Sequence, residues 1–211
     1  MNLVYINSAN GLSKAALETV TYAKKLGADV AVVTNGNAAA ELLATLGAYG
    51  ASTVLQDAGV DGQDPSQLVK LVAAAAAKVG ASTIIFSHDL IGKAVAPRLS
   101  VRLKAGLVAG AVALPEADGS TKVNVFSGKA FGFVKVNSAV RIISLLPNSI
   151  QPEQTGGNCS TEAFDSQAGS SAITIKATKK PEGAIPLPEA ELVVSAGRGL
   201  KGPENWGMVE D

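Results

Sequence analysis

The fold is decided by two apolar runs, Leu3-Val4-Tyr5-Ile6 and Asp29-Val30-Ala31-Val32-Val33-Thr34. Each run has the length of a strand, and each lacks the alternation that marks a strand with one face in water. A helical pattern from Ser13 to Leu26 separates them, with Ser13 as a candidate N-cap and Gly27 directly after the last helical residue. Strand, helix and buried strand in this order predict a right-handed βαβ unit in a parallel sheet.

The same alternation continues along the first half of the chain. It predicts strands at residues 52–56 and 83–87, and helices at residues 38–46, 66–79 and 92–103. Pro65 suits the first turn of a helix, whereas Pro97 predicts that the last helix is in two pieces or begins near Ala96. The chain is therefore predicted to be an α/β protein with a Rossmann-like, mostly parallel sheet and helices on both faces.

The pattern changes after Leu107. Strand candidates at residues 108–114, 122–126, 132–136 and 140–145 follow one another closely, and 173–175 is one more. Connections this short predict antiparallel or edge strands added to the sheet.

Three domain segments are expected. Residues 1–180 form the Rossmann-like domain, and residues 181–190, with three prolines and no apolar periodicity, form a linker. Residues 191–211 are expected to be the truncated start of a second α/β domain, with a buried strand, a glycine-rich turn and the first turns of a helix.

Composition limits the function classes. Apolar residues make up 47% of the 211 residues, and 18 basic residues balance 18 acidic ones, so nothing indicates binding to nucleic acid. Cys159 is the single cysteine, which fits a reducing compartment. No apolar run is long enough to span a bilayer and no leader sequence is visible, so a cytoplasmic protein is expected.

The glycine-rich turn near the end of the sequence is the strongest binding motif. Gly197, Gly199 and Gly202 satisfy the literal G-x-G-x-x-G pattern, and Arg198 lies between the first two. From spacing alone, Arg198 either binds a phosphate or belongs to a purely structural turn. The acidic residue that would confirm a dinucleotide site, some twenty positions further on, falls beyond Asp211.

Other candidate residues have plainer alternatives. His88, followed by Asp89 at the carboxyl end of a predicted strand, could be a general acid or base, but an Asp/His pair capping the next helix is favoured. Arg98 could bind a carboxylate or phosphate, or be an ordinary helix arginine. Ser127-Gly128-Lys129 imitates a P-loop without its other residues, and Cys159 is expected to be an unreactive thiol. No catalytic residue and no metal site are predicted.

Two stretches resemble the alpha subunit of electron-transfer flavoprotein. Residues 193–206 are similar to the family's Val-Val-Ser-Gly-Gly-Arg-Gly-Leu-Lys and Glu-Asn-Phe signature, with Ala196 in place of one glycine. Residues 92–99 are similar to the family's Gly-Arg-Asp-Val-Ala-Pro-Arg-Leu helix, and the similarity runs in order along the whole chain.

The resemblance implies a carrier of electrons rather than an enzyme with its own substrate. It implies a heterodimer with a beta subunit, scaffolded by the first domain, which takes electrons from flavin dehydrogenases and passes them to a downstream acceptor. It also implies that FAD is held mainly by a C-terminal domain missing here, that Arg198 contacts this FAD, and that the chain alone binds none. Two alternatives remain open: an adenine-nucleotide-binding module using the carboxyl ends of the first four strands, and an NAD enzyme built on Gly197–Gly202.

Overall fold

The computed structural model describes residues 1–8, 11–177, 187, 190 and 192–210. The chain divides into two compact units, Met1–Lys176 and Ala177–Asp211. The linker expected at residues 181–190 lies outside the described residues, apart from Leu187 and Ala190. The two units are therefore taken one at a time.

The described part of the first unit contains four helices and nine strands. The strands are β1 (Asn2–Asn7), β2 (Val30–Asn35), β3 (Ala51–Asp57), β4 (Thr83–Ser87), β5 (Gly106–Ala111), β6 (Ser120–Val125), β7 (Ala130–Lys135), β8 (Arg141–Leu145) and β9 (Ser160–Ala163). The helices are α1 (Lys14–Lys25), α2 (Ala40–Ala48), α3 (Pro65–Val79) and α4 (Leu90–Leu103).

All nine strands belong to one open sheet in the order β7-β6-β5-β8-β4-β1-β2-β3-β9. Along the sheet, the seven strands β5-β8-β4-β1-β2-β3-β9 are parallel to their neighbours. Strand β6 is antiparallel to both β5 and β7. This confirms the mostly parallel sheet and the antiparallel edge strands β6 and β7. The expectation of antiparallel or edge strands is wrong for residues 108–114 and 140–145, because β5 and β8 pair in parallel and β8 lies inside the sheet between β4 and β5, a position that chain order does not reveal.

The helices cover both faces of the sheet, as predicted. Leu3 and Tyr5 of β1 pack in one core with residues of α3 and α4, whereas Val4 and Ile6 pack in the other with residues of α1 and α2. Successive side chains of a strand point to opposite faces, so a strand covered on both sides is apolar throughout. The continuous apolar runs of the sequence arise from this arrangement.

Helix α4 is a single helix, so the predicted interruption at Pro97 is wrong. A proline removes the hydrogen bond to the carbonyl four residues earlier, which here belongs to Lys93. Lys93 and Pro97 are both exposed, so this carbonyl lies on the side of the helix that faces water. Val95, Ala96 and Leu99 keep the opposite face buried, and the helix continues past the proline.

Two strand assignments differ from the sequence-based expectation. Residues 173–175 form no strand, because the Ser171 hydroxyl accepts a hydrogen bond from the Ile173 N–H and no neighbouring strand pairs with the segment. Strand β9, in contrast, was not predicted, because all four of its residues are exposed and it has no apolar pattern. It forms through parallel pairing with the outer edge of β3.

The second unit contains short turns rather than the predicted buried strand. Residues 192–194 form no strand, and Leu192 and Val194 are 84% and 67% exposed. A strand needs a partner for its backbone N–H and C=O groups, and none pairs with this segment among the described residues. Two 3-10 turns follow at Arg198–Leu200 and Pro203–Asn205, and then the four-residue helix α5 (Gly207–Glu210).

Candidate functional site

The carboxyl ends of β1 and β4 form the switch point of the sheet. The chain leaves β1 toward β2 on one side, and β4 lies on the other side, so a crevice opens between the two strand ends. The crevice has a volume of about 60 Å³, room for a water or two but far less than a nucleotide pocket needs. Its polar lining includes Asn7, Ser13, Ser87 and Asp89.

Three of the four helix N-termini at this edge are capped by side chains of the protein itself. Asp89 is the N-cap of α4, since its Oδ1 accepts a hydrogen bond of 2.7 Å from the Gly92 N–H. Asp64 caps α3 in the same way through the Ser66 N–H at 2.8 Å, and Ser13 caps α1, whereas Ala39 at the start of α2 makes no side-chain cap. A phosphate at α1, α3 or α4 would have to displace one of these caps, and two of them are negatively charged. The geometry therefore argues against a nucleotide phosphate at these three helix ends.

His88 has a structural environment rather than a catalytic one. Its Nδ1 lies 2.9 Å from the Ser144 Oγ of β8, which also accepts the Gly110 N–H at 3.2 Å. The Ser144 hydroxyl has one proton and two acceptor lone pairs, so it can donate to a deprotonated Nδ1 or accept from a protonated one, according to the tautomer of His88. Burial lowers the pKa of His88, and Lys93 lowers it further, against the opposite effect of Asp89. The imidazole is consequently neutral near pH 7.

The third member of this group is Gly110 of β5, the strand on the other side of β8. Gly110 has a φ of +74° at an irregularity in the β5–β8 register, a conformation that favours glycine, and a Cβ there would be in ordinary van der Waals contact with the His88 Nε2 at 3.6 Å. The three carboxyl-end residues His88, Ser144 and Gly110 thus form one hydrogen-bonded group. No signal in the sequence joins residues separated by 56 and 34 positions, so sequence reasoning missed the group.

The remaining candidates have structural roles. Arg98 is exposed and its guanidinium donates to the Ala94 carbonyl of its own helix. The Cys159 thiol donates to the Leu43 carbonyl, and burial raises its pKa, which makes it a poor nucleophile. Ser127, Gly128 and their neighbour Phe126 all have positive φ and form the tight turn between β6 and β7, not a phosphate-binding loop.

Arg198 lies in the second unit and lines an open, partly apolar depression with a volume of about 320 Å³. Lys201 and Trp206 also line this depression. The Arg198 backbone is held in a 3-10 turn in which the Lys201 N–H donates to the Arg198 carbonyl at 3.0 Å. Its side chain is exposed and makes no ion pair with any described residue. Arg198 and Lys201 together offer two cations for an anionic group.

The glycine pattern does not have the surroundings of a dinucleotide fingerprint. Neither a preceding strand nor a following long helix is present in the described tail, and the Glu204 carboxylate lies where a Cβ on Gly202 would be. The residues present fit one part of FAD, its negatively charged diphosphate, through Arg198 and Lys201. They form no enclosed surface for the flavin ring.

The described residues contain neither a membrane-spanning helix nor a metal-binding cluster. No helix there is long and apolar enough to cross a membrane. No group of three or more His, Cys, Asp or Glu side chains in the same residues could hold a metal ion.

Comparison with known proteins identifies the class. Residues 2–177 match the family model of the electron transfer flavoprotein domain. The chain therefore belongs to the electron transfer flavoprotein family.

Within this family the chain is of the alpha-subunit type. It is 30% identical over 217 residues to the electron transfer flavoprotein subunit alpha of Mycobacterium leprae, covering 99% of this chain and 67% of that protein. It is 27% identical over 215 residues to the subunit of the same name from Syntrophomonas wolfei, covering 98% and 68%. A third relative, the probable electron transfer flavoprotein subunit alpha, mitochondrial, of Caenorhabditis elegans, is 27% identical over 95% of this chain and 61% of its own length. The chain thus spans about three fifths to two thirds of these relatives.

Proposed function

We propose that this chain is part of an electron carrier that takes electrons from flavin dehydrogenases and delivers them to a downstream acceptor. In this proposal the first unit is the scaffold on which a beta subunit assembles, and the protein has no substrate of its own. The single cysteine is in keeping with a reducing compartment such as the cytoplasm. The match of residues 2–177 to the electron transfer flavoprotein domain carries the proposal.

The proposed cofactor is FAD, held mainly by residues outside this chain. FAD supplies one- and two-electron chemistry when it is bound. The chain's own contribution is Arg198, whose guanidinium would donate a charge-assisted hydrogen bond to an anionic oxygen of the cofactor. Two structural observations support this role: the Arg198 side chain is exposed, and it makes no ion pair with any described residue. The similarity to two alpha subunits, which covers nearly the whole chain, supports it as well.

The experiment is a FAD-binding measurement on the heterodimer of the complete alpha subunit with its beta subunit. Arg198→Ala should weaken FAD binding about tenfold to a hundredfold, since a charge-assisted hydrogen bond contributes roughly 1.5–3 kcal/mol. Arg98→Ala is the matched control, because Arg98 is also exposed but bonds only to its own helix. Equal FAD affinity in the Arg198 variant and the wild type would refute the role of Arg198. Failure of this chain to associate with a beta subunit would refute the proposed role of the first unit as a scaffold.

A further inference from the structure

The two edges of the sheet are built differently. Strand β9 forms one edge with four polar or small residues, and its Glu162 pairs with Lys78 of α3. Strand β7 forms the other edge with six residues, of which Lys135 at its end is the single charged one. Soluble proteins usually protect edge strands with charges, prolines or short length, because the unpaired N–H and C=O groups can pair with another chain. Strand β7 has little of this protection, and no strand in the described part of the chain pairs with its outer side.

The hairpin of β6 and β7 also exposes three of the five phenylalanines of the chain. Phe131 and Phe133 of β7 are 57% and 59% exposed, and Phe126 in the turn is 79% exposed. Phenylalanine is normally among the most buried residue types, and aromatic side chains are enriched where one protein surface meets another. Exposed rings beside free backbone groups are typical of an edge to which another strand is added.

The exposed side chains of β7 form one row. Alternate residues of the strand face opposite sides of the sheet, so Phe131, Phe133 and Lys135 share the exposed side, and the residues between them lie on the side of the α1/α2 core. The Lys122 Nζ lies 3.6 Å from the centroid of the Phe131 ring. Lys135 makes an exposed contact of 3.9 Å with Asp118. The row thus consists of two rings followed by a cation.

We propose that a second copy of this chain pairs with β7, so that two antiparallel β7 strands join the two sheets into one. Two identical strands that pair antiparallel are related by a twofold axis, so each contact is made twice. Residues directly opposite each other lie on the same side of the sheet, so the exposed row of one copy meets the exposed row of the other. The pairing also provides partners for the free N–H and C=O groups of the outer edge.

Charge selects the register of this pairing. With the twofold axis at Gly132, Lys129 would lie opposite Lys135 of the second copy, and like charges directly opposite each other are destabilising. With the axis at Phe133, the two Phe133 rings are neighbours, and Phe131 lies opposite Lys135 of the second copy. A ring and a cation attract each other, as Lys122 and Phe131 do within one chain. The register centred on Phe133 is therefore the expected one.

The expected dimer is a weak one. A pair of six-residue strands is a small contact, and interfaces that bury less than about 1,200 Å² are typical of transient complexes. A dissociation constant on the order of ten micromolar follows for such a contact. The dimer should therefore form and dissociate as the concentration of the chain changes.

Sedimentation equilibrium of the 211-residue chain, from about 1 µM to about 500 µM, measures this association. The mass should rise from 21.3 kDa toward twice that value. Backbone amides of β7 should gain protection from hydrogen exchange at the higher concentrations, whereas those of β9 should not. A mass of 21.3 kDa at every concentration would overturn the proposal.

Phe133→Lys and Phe126→Lys form a matched pair, because both replace an exposed phenylalanine of the same hairpin. Phe133→Lys places two like charges opposite each other at the twofold axis and should weaken the dimer about tenfold or more. Phe126→Lys changes the turn, outside the paired strands, and should dimerise as the wild type does. Both variants should keep the wild-type midpoint of urea denaturation. Equal weakening in both would overturn strand pairing in favour of general attraction between exposed rings.

Cysteine variants in a Cys159→Ser background test the register. Phe133→Cys should form a disulfide-linked dimer under oxidising conditions, because its two side chains lie directly opposite each other. Phe131→Cys is the control and should stay unlinked, since it lies opposite Lys135 of the second copy. Equal cross-linking of the two variants would overturn the register.

A beta subunit is the competing occupant of this edge. A wild-type chain that stays monomeric, and whose Phe133→Lys variant no longer binds a beta subunit, would overturn the proposal and assign the edge to that subunit. The association of two copies is measured on the chain alone, so its failure leaves the proposed electron-carrier function untouched.

Discussion

Asp64→Ala should lower the free energy of unfolding of the first unit by about 2.5 kcal/mol. The Asp64 side chain is 2% exposed and makes two hydrogen bonds: Oδ1 accepts the Ser66 N–H at 2.8 Å, and Oδ2 accepts the Ser171 hydroxyl at 2.7 Å. Loss of an N-cap costs about 1 kcal/mol, and loss of a hydrogen bond to a charged group costs about 1.5 kcal/mol. The sum is the predicted change in the free energy of unfolding.

The assay is urea denaturation at pH 7 followed by far-UV circular dichroism, which reports on the long helices of the first unit. Tryptophan fluorescence is unsuitable, because Trp206 belongs to the second unit. Asp64→Asn is the control, since it keeps an oxygen that can accept the Ser66 N–H and should lose roughly half as much stability. A loss below about 1 kcal/mol in the alanine variant, or equal losses in both variants, would refute the reasoning.

The same carboxylate predicts an acid-dependent loss of stability. The hydrogen bond from Ser171 is the main cause that lowers the pKa of Asp64 from its ordinary value of 3.8. Because the folded carboxylate binds a proton less tightly than the unfolded one, its stabilisation is complete above that ordinary value and is lost as the pH falls through the lower, folded pKa. The Asp64→Asn variant should lack this part of the acid transition.

Other predictions concern the buried groups of the first unit. Burial raises the pKa of Glu18, so the wild type should lose stability as the pH rises from its ordinary pKa of 4.5 through the higher folded value, and Glu18→Gln should remove this slope in urea denaturation. Gly92→Ala should destabilise the fold by about 2–3 kcal/mol in the same denaturation assay, since its Cβ would lie 1.9 Å from the Ser87 carbonyl oxygen; an unchanged midpoint would contradict that close approach.

The sequence predicted the central sheet well because its strands are buried on both faces. Runs such as Leu3–Ile6 are apolar at every position, and helix ends carry explicit signals such as Ser13 and Gly80, which has a φ of +62° at the C-cap of α3. Strand β9 has neither kind of signal, since it is held by backbone pairing with β3 and by polar contacts of Ser160 and Glu162 with distant residues. The insertion of β8 between β4 and β5 likewise depends on long-range pairing that no local pattern encodes.

The candidate sites also differ in whether a local sequence signal or only the folded structure reveals them. Arg198 could be named as a candidate because its motif is local, with glycines on both sides, although the strand predicted just before it does not form; its role in binding stays a prediction. The hydrogen-bonded group of His88, Ser144 and Gly110 was missed because its residues come from three separate segments. A local motif can indicate a family, whereas a surface assembled from distant residues requires the fold.

The most direct test of the account is the flavin content of the 211-residue chain. Purified in the presence of excess FAD and then dialysed, the chain should retain no stoichiometric FAD, because Arg198 and Lys201 offer an anchor for a diphosphate and no enclosed surface for the flavin ring. A stoichiometric yellow FAD complex that survives dialysis would contradict the account.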